Sequence, residues 1–341
     1  MHKDCLNGQS FLLIKVIGVI TVKKQLLALA GTAAVIGGAA YGISDALFKA
    51  LISREFKVPK AVSKFITEKE DGAENPLEAK YKACMQYIND YGFERHEMIS
   101  DRGQKLRGYL MRPKKPSDVY VFGSHGYRCE GKREWCYFAK FYVEEMGWNF
   151  FFVDHQSHGE SEGEYIGFAS HEHKDALKWL GYMNNTFGKD IKIFLHGISM
   201  GSATVMLMTG SDALPENVKF TVADCGYTSA MDEFSYKIDS LKLPFKPLVP
   251  VISAINRKRA GYDFQKDTDA LSAVKRARLP MLFIHGDKDL FVPTKMVYEL
   301  YDACTSEKEL FVVPGADHAK SYHLDSDGYQ EKVRAMAERY L

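Results

Sequence analysis

The chain has 341 residues, of which 46% are apolar and 26% are charged, and its formal net charge is +1. The length suits one large α/β domain with additions. The near-neutral charge excludes strong attraction to nucleic acid, so no nucleic-acid partner is expected. The six cysteines form no C-x-x-C pair and match no zinc site, so we predict no metal and no cofactor.

An uncharged segment, residues 25–44, follows Lys23 and Lys24. Twenty apolar or small residues span about 30 Å as a helix, and preceding lysines are typical of a signal anchor. We therefore predict that residues 1–44 hold a single-pass membrane anchor. A cleaved signal peptide and a helix packed on the protein are the alternatives. Lysines lie on both sides of the segment, so the side of the membrane stays open.

Residues 45–92 are predicted to form a helical linker region. Apolar residues recur at helical spacing between residues 47 and 66 among many charges. Residues 71–76 resemble a linker, and residues 77–91 are predicted to form a helix that Gly92 ends.

From residue 93 to residue 341 short apolar runs alternate with helical segments. Apolar and polar residues alternate along 95–99 and 105–111, which predicts two exposed strands joined by a turn. Six further strands are predicted, at 119–123, 149–153, 191–195, 219–223, 281–284 and 309–313. The predicted helices are 133–146, 172–187, 200–210, 294–304 and 329–341. This alternation predicts a mostly parallel sheet with helices on both faces, which binds ligands beyond the carboxyl ends of its strands.

The strongest motif is G-x-S-x-G at residues 197–201, between a predicted strand and a predicted helix. The glycines permit a sharp turn that exposes the serine, and the helix that follows directs its positive end at developing negative charge. Ser199 is therefore the predicted nucleophile.

A nucleophilic serine needs a base, and the base needs an orienting acid. Two carboxylates, Asp287 and Asp289, follow the strand at 281–284, and we favour Asp289 because it fits the pattern HG-x-x-D-x-x-V-P. Asp287 is expected to be a turn residue. His318 follows the last strand and is the predicted base, with His323 as the alternative.

The oxyanion formed during hydrolysis needs fixed N–H donors. One predicted donor is the backbone N–H of Met200, directly after the nucleophile. The other is the backbone N–H of Tyr127, in the loop that follows the strand at 119–123.

Other polar motifs are predicted to be structural. The segment DHQSHGES at 154–161 resembles a metal cluster, but we interpret it as a loop turn. His171 and His173 are two residues apart, so on a helix they face different sides. Residues 228–270 are predicted to form a small helical cap over the pocket, or simply a packed helix pair.

Taken together, these residues resemble the α/β-hydrolases, and most closely a membrane-anchored bacterial branch related to Bem46-like and serine-aminopeptidase-like hydrolases. The resemblance covers residues 95–341 and rests on SHGY at 124–127, DHQSHGES at 154–161, HGISMGS at 196–202, ADCGYTS at 223–229, IHGDKDLFVP at 284–293 and GADHAKSY at 315–322. It implies the α/β-hydrolase fold and hydrolysis through Ser199, Asp289 and His318. Gln156 departs from the arginine that the family often has there.

The expected activity is hydrolysis of a small-molecule carboxylic ester of the acyl type through an acyl-enzyme. A serine peptidase acting on short peptides is the alternative, with Glu162, Glu164 or Glu233 available to anchor a charged peptide end. A non-catalytic anchored scaffold is the third hypothesis, and the complete triad disfavours it.

Overall fold

A central sheet of eight strands organises the part of the chain that the computed structural model describes, namely residues 33–55, 76–240, 242 and 245–341. The strand order is β1-β2-β4-β3-β5-β6-β7-β8. The strands are β1 (Glu94–Ile99), β2 (Lys105–Met111), β3 (Val119–Ser124), β4 (Asn149–Asp154), β5 (Lys192–Ile198), β6 (Val218–Asp224), β7 (Met281–Gly286) and β8 (Lys308–Val313).

The sheet is mostly parallel, as predicted. Strands β3 to β8 pair in parallel, whereas β2 runs antiparallel to both of its neighbours, β1 and β4. The expectation that residues 105–111 form an exposed strand is wrong. Only β1 is an exposed edge, and Leu106, Tyr109 and Leu110 of β2 are buried because β2 has a strand on each side and apolar clusters on both faces.

Helices cover both faces of this sheet. They are α1 (Ala33–Ile52), α2 (Pro76–Tyr91), α3 (Gly131–Lys140), α4 (Ser170–Phe187), α5 (Met200–Thr209), α6 (Ala230–Ser240), α7 (Val249–Arg259), α8 (Ala270–Val274), α9 (Lys295–Ala303), α10 (Ser321–Leu324) and α11 (Ser326–Tyr340). A π-helical turn, Phe141–Glu145, extends α3, so the predicted helix at 133–146 changes its winding midway.

Each strand sends alternate side chains to opposite faces. On β4, Phe150 and Phe152 join the cluster that contains Trp135, whereas Phe151 and Val153 join the other face. This two-sided burial explains why the strands appear in the sequence as continuous apolar runs.

Helices α6 and α7, joined by a 3-10 turn at Lys246–Leu248, lie between β6 and α8, where the cap was predicted. Phe245, Ile252 and Ile255 belong to one buried cluster with Tyr127 and Met200. The apolar face of this insertion therefore packs into the cluster that contains Met200, and its role as a cap stays a prediction.

Helix α1 packs on the domain through its C-terminal half. Phe48 and Ile52 are fully buried, and the Tyr127 hydroxyl donates to the carbonyl of Leu51 at 2.7 Å. Within the described ranges, no helix combines the length and apolar character that crossing a bilayer requires. Residues 25–32 of the predicted anchor lie outside the described residues, so the anchor stays a prediction.

Candidate active site

The predicted nucleophile lies on a strained turn between β5 and α5. Ser199 has φ 58° and ψ −116°, a conformation that a non-glycine residue adopts only when its surroundings impose it. A Cβ on Gly197 would overlap the carbonyl oxygen of Gly201, and one on Gly201 would overlap that of Ser124. The backbone N–H of Ser199 donates to the Asp224 carbonyl at 2.8 Å. Glycine at both positions therefore lets the chain hold the serine at the carboxyl edge of the sheet.

Loops from three strands bring the predicted triad residues together. The Nε2 atom of His318 lies 2.9 Å from the Oγ of Ser199, and its Nδ1 lies 2.7 Å from the Oδ2 of Asp289. All three side chains are buried. His323, the alternative base, instead packs edge-on against the Tyr137 ring at 4.4 Å.

The carboxylate of Asp289 accepts hydrogen bonds from three N–H groups, two of the backbone and one of His318. Its Oδ1 accepts from the backbone N–H groups of Phe291 and Val292 at 2.8 Å each. Its Oδ2 faces His318 and also lies 3.2 Å from the Nε2 of His285. Burial alone would raise the pKa of Asp289, but the charge and hydrogen bonds of the two histidines outweigh it and lower that pKa. Asp289 is therefore ionised and fixed in orientation.

The competing carboxylate, Asp287, is exposed. Its Oδ1 accepts from the backbone N–H of Gly315 at 2.6 Å. The backbone N–H of Lys288 donates to the carbonyl of Ala316 at 2.9 Å. These bonds join the loop of Asp289 to the loop of His318, so Asp287 links two loops instead of capping its own turn as predicted.

The loop that contains Tyr127 packs on the first turn of α5. Gly201 lies against the carbonyls of Ser124 and His125, and the Oε2 atom of Glu134 accepts from the backbone N–H of Gly126 at 3.1 Å. Met200 begins α5, where a backbone N–H has no acceptor within the helix. The structure thus places both predicted oxyanion donors at the nucleophile end of the sheet.

Three buried histidines, His125, His155 and His158, hold this loop against the loop after β4. The backbone N–H of His155 donates to the Nε2 of His125 at 3.0 Å, and that of Arg128 donates to the Nε2 of His158 at 3.0 Å. Burial lowers the pKa of all three rings. Backbone N–H groups occupy the acceptor nitrogens of His125 and His158, and the Nε2 of His155 lies 2.8 Å from the Oγ of Ser124, so these neutral rings act as supports.

The rest of the 154–161 motif is also structural. The carboxylate of Asp154 accepts from the backbone N–H groups of Gly131 at 2.7 Å and Glu160 at 2.8 Å. Gln156, which departs from the family pattern, accepts a hydrogen bond from Arg102 at 2.7 Å. Arg102 also pairs with Asp175 at 2.7 Å, so an arginine from another loop supplies the positive charge here.

One thiol beside the triad was not found from the sequence. Ligand atoms of Cys225, Asp289 and His318 lie within 4.8 Å of one another. Burial raises the pKa of the Cys225 thiol, which keeps it protonated, whereas metal binding needs a thiolate. Both ring nitrogens of His318 already face triad partners. The donor chemistry of this cluster therefore suits a triad better than a metal.

A buried ion pair on α6 also borders the site. The Nζ of Lys237 donates to the Leu290 carbonyl at 2.8 Å and lies 4.0 Å from the centre of the Phe291 ring. That ring lies 4.8 Å from the His318 ring. Glu233, one helical turn before Lys237, has an Oε1 that is 3.9 Å from the same Nζ.

Comparison with known proteins finds a matching family model and a bacterial relative. A family model described as serine hydrolase (FSH1) matches residues 194–319, which include Ser199, Asp289 and His318. The uncharacterized protein YqkD of Bacillus subtilis is 26% identical over 237 residues, which are 69% of this chain and 76% of that protein.

Two solved structures share the fold. The Pyrococcus furiosus esterase Pf2001 superposes with a TM-score of 0.60 at 19% identity, covering 80% of this chain and 96% of the esterase. Est1E of Butyrivibrio proteoclasticus, solved with ferulic acid bound, gives a TM-score of 0.52 at 18% identity, covering 72% of this chain and 98% of Est1E.

Proposed function

We propose that this chain cleaves small-molecule carboxylic esters through an acyl-enzyme on Ser199, and its match to a serine hydrolase family model and the fold that it shares with a solved esterase support the proposal. The observation that carries the proposal is the continuous set of contacts from Asp289 to His318 to Ser199, at 2.7 and 2.9 Å. A scaffold without activity has no need for a strained serine at the end of such a chain of contacts.

The first half of the proposed reaction forms the acyl-enzyme. The Oγ of Ser199 attacks the ester carbonyl carbon while its proton passes to the Nε2 of His318. Asp289 keeps the other ring nitrogen protonated and stabilises the imidazolium. The backbone N–H groups of Met200 and Tyr127 stabilise the tetrahedral oxyanion. The C–O bond then breaks, and the alcohol leaves with the proton from His318.

The second half returns the enzyme to its starting state. A water molecule gives a proton to His318 and attacks the acyl carbon, and the Ser199 ester bond breaks as the proton returns to Oγ. The products are one carboxylic acid and one alcohol for each water consumed. The triad side chains and the backbone N–H groups of Met200 and Tyr127 together carry out these steps.

The experiment that tests the substrate class is a panel of nitrophenyl esters of rising acyl length, set beside aminoacyl amides. An esterase turns over the esters with kcat/KM values far above those for the amides. Turnover of amides at a rate equal to or above that of the esters would contradict the ester proposal and favour the serine peptidase alternative.

We also propose that the uncharged segment at residues 25–44 attaches the enzyme to a membrane. The support is its length and its preceding lysines. A chain that begins at Asp45 keeps the buried Phe48 and Ile52, so it should fold and hydrolyse esters but leave the membrane fraction. A truncated chain that still sediments with membranes would place the attachment elsewhere.

A further inference from the structure

Glu233 carries a buried carboxylate for which the triad mechanism has no use. Its side chain is only 6% exposed. Among the described residues, neither of its carboxylate oxygens has a hydrogen-bond partner. A buried polar group without a partner destabilises a fold, so native proteins rarely keep one unless it has a ligand.

Glu233 lies on a helix that follows the strand between those of Ser199 and Asp289. It lies on α6, the first helix after β6, and β6 is the sheet neighbour of both β5, which leads to Ser199, and β7, which leads to Asp289. Ligands of such sheets bind beyond this edge. Burial raises the pKa of Glu233 to about 8, and the nearby charge of Asp289 also raises it, so a cation beside this carboxyl group would favour its charged form.

Lys237 does not satisfy Glu233. The 3.9 Å separation from its Nζ to the Oε1 of Glu233 is too long for a hydrogen bond. Lys237 instead donates to the Leu290 carbonyl and lies over the Phe291 ring. Its charge also interacts with Asp289 and Asp317, so one ammonium is shared among three carboxylates.

We propose that Glu233 forms a subsite that binds a protonated amine on the acyl ester substrate. A buried carboxylate accepts charge-assisted hydrogen bonds from an ammonium group, and such bonds are stronger than those from neutral donors. This inference rests on the proposed ester hydrolysis and narrows its substrate to amine-bearing acyl esters.

The test compares benzyl hexanoate with derivatives that bear one amine, or one hydroxyl, at successive positions along the acyl chain. At one or more positions, the wild-type enzyme should hydrolyse the amine derivative with a higher kcat/KM than the hydroxyl derivative and than benzyl hexanoate itself. Glu233→Gln keeps the shape and removes the charge, and it should lower the ratio of amine to neutral kcat/KM by about tenfold to a hundredfold. Glu338→Gln, the same change at an exposed glutamate on α11, should leave that ratio unaltered.

Three outcomes would overturn the subsite. The first is a wild-type enzyme that prefers no amine position, which decides the matter even if the variant fails to fold. The second is an equal preference for the amine and the hydroxyl derivatives, which would indicate that the site binds a hydrogen-bond donor regardless of its charge. The third is an unchanged ratio in a Glu233→Gln protein whose melting temperature and phosphonate labelling show that it is folded. Absence of all ester turnover and of Ser199 labelling would instead refute the proposed function.

Discussion

Asp289→Asn is the substitution whose effect follows most directly from the geometry. The Oδ1 of Asp289 accepts two backbone N–H groups, from Phe291 and Val292. An asparagine must therefore direct its carbonyl oxygen to that side. Its NH₂ group then occupies the place of Oδ2, where it meets the Nδ1 of His318 and the Nε2 of His285.

The NH₂ group changes the tautomer of His318. Nδ1 must become an acceptor, so Nε2 carries the proton and cannot take one from the Oγ of Ser199, 2.9 Å away. The loss expected from such a change is about 10⁴-fold in kcat, which is about 5.5 kcal/mol at 1.36 kcal/mol per tenfold. KM should change little, because the amide occupies the same volume.

The assay is steady-state turnover of a nitrophenyl ester, with the melting temperature measured in parallel. Asp287→Asn is the matched control on the same loop, because the amide oxygen still accepts from the backbone N–H of Gly315. That variant should keep its turnover per folded molecule. Near-wild-type activity in Asp289→Asn, or an equal loss in Asp287→Asn, would refute the assignment of the acid.

Two further predictions concern packing and pH. Gly201→Ala should lower the free energy of unfolding by about 1–3 kcal/mol, with a loss of turnover, because the new Cβ meets the carbonyls of Ser124 and His125. Gly181→Ala, in open space on α4, should instead raise stability by about 0.5–1 kcal/mol, and denaturant titration of both variants checks this. Burial raises the pKa of Asp224 from 3.8 to about 7, so its contribution to stability should fall as pH rises from near 4 to near 7. Unfolding titrations across this range should show a flatter pH dependence for Asp224→Asn, and parallel curves for the two proteins would contradict the shift.

Much of the fold and the identity of the candidate triad could be predicted because their signals are local. The apolar runs mark buried parallel strands, and each polar motif directly follows one of them. The turn chemistry of residues 197–201 is specific, since each glycine meets backbone where a Cβ does not fit. The pattern HG-x-x-D-x-x-V-P favours Asp289 over Asp287 as the triad acid, and the structure places only Asp289 against His318.

Other features depend on contacts between distant segments. Tyr109 is buried because β2 lies beside β4 inside the sheet, and no local pattern identifies the pairing of Tyr109 with Phe152, 43 residues later. His285 is the next-to-last residue of β7, but its contact with Asp289 depends on how the loop folds back. The placement of Cys225 beside the triad arises because β6 lies between β5 and β7. The order of the strands depends on how the whole domain packs, so a local motif does not reveal which residues it brings together.

The most direct test of the central claim is fluorophosphonate labelling followed by peptide mass spectrometry. The phosphonyl group should bind covalently to the peptide that contains Ser199, with loss of ester turnover in proportion to labelling. Ser199→Ala should neither label nor turn over ester, while keeping the wild-type melting temperature. An adduct on another residue, with Ser202 the nearest hydroxyl in the chain, or full activity in Ser199→Ala, would contradict the assignment of the nucleophile.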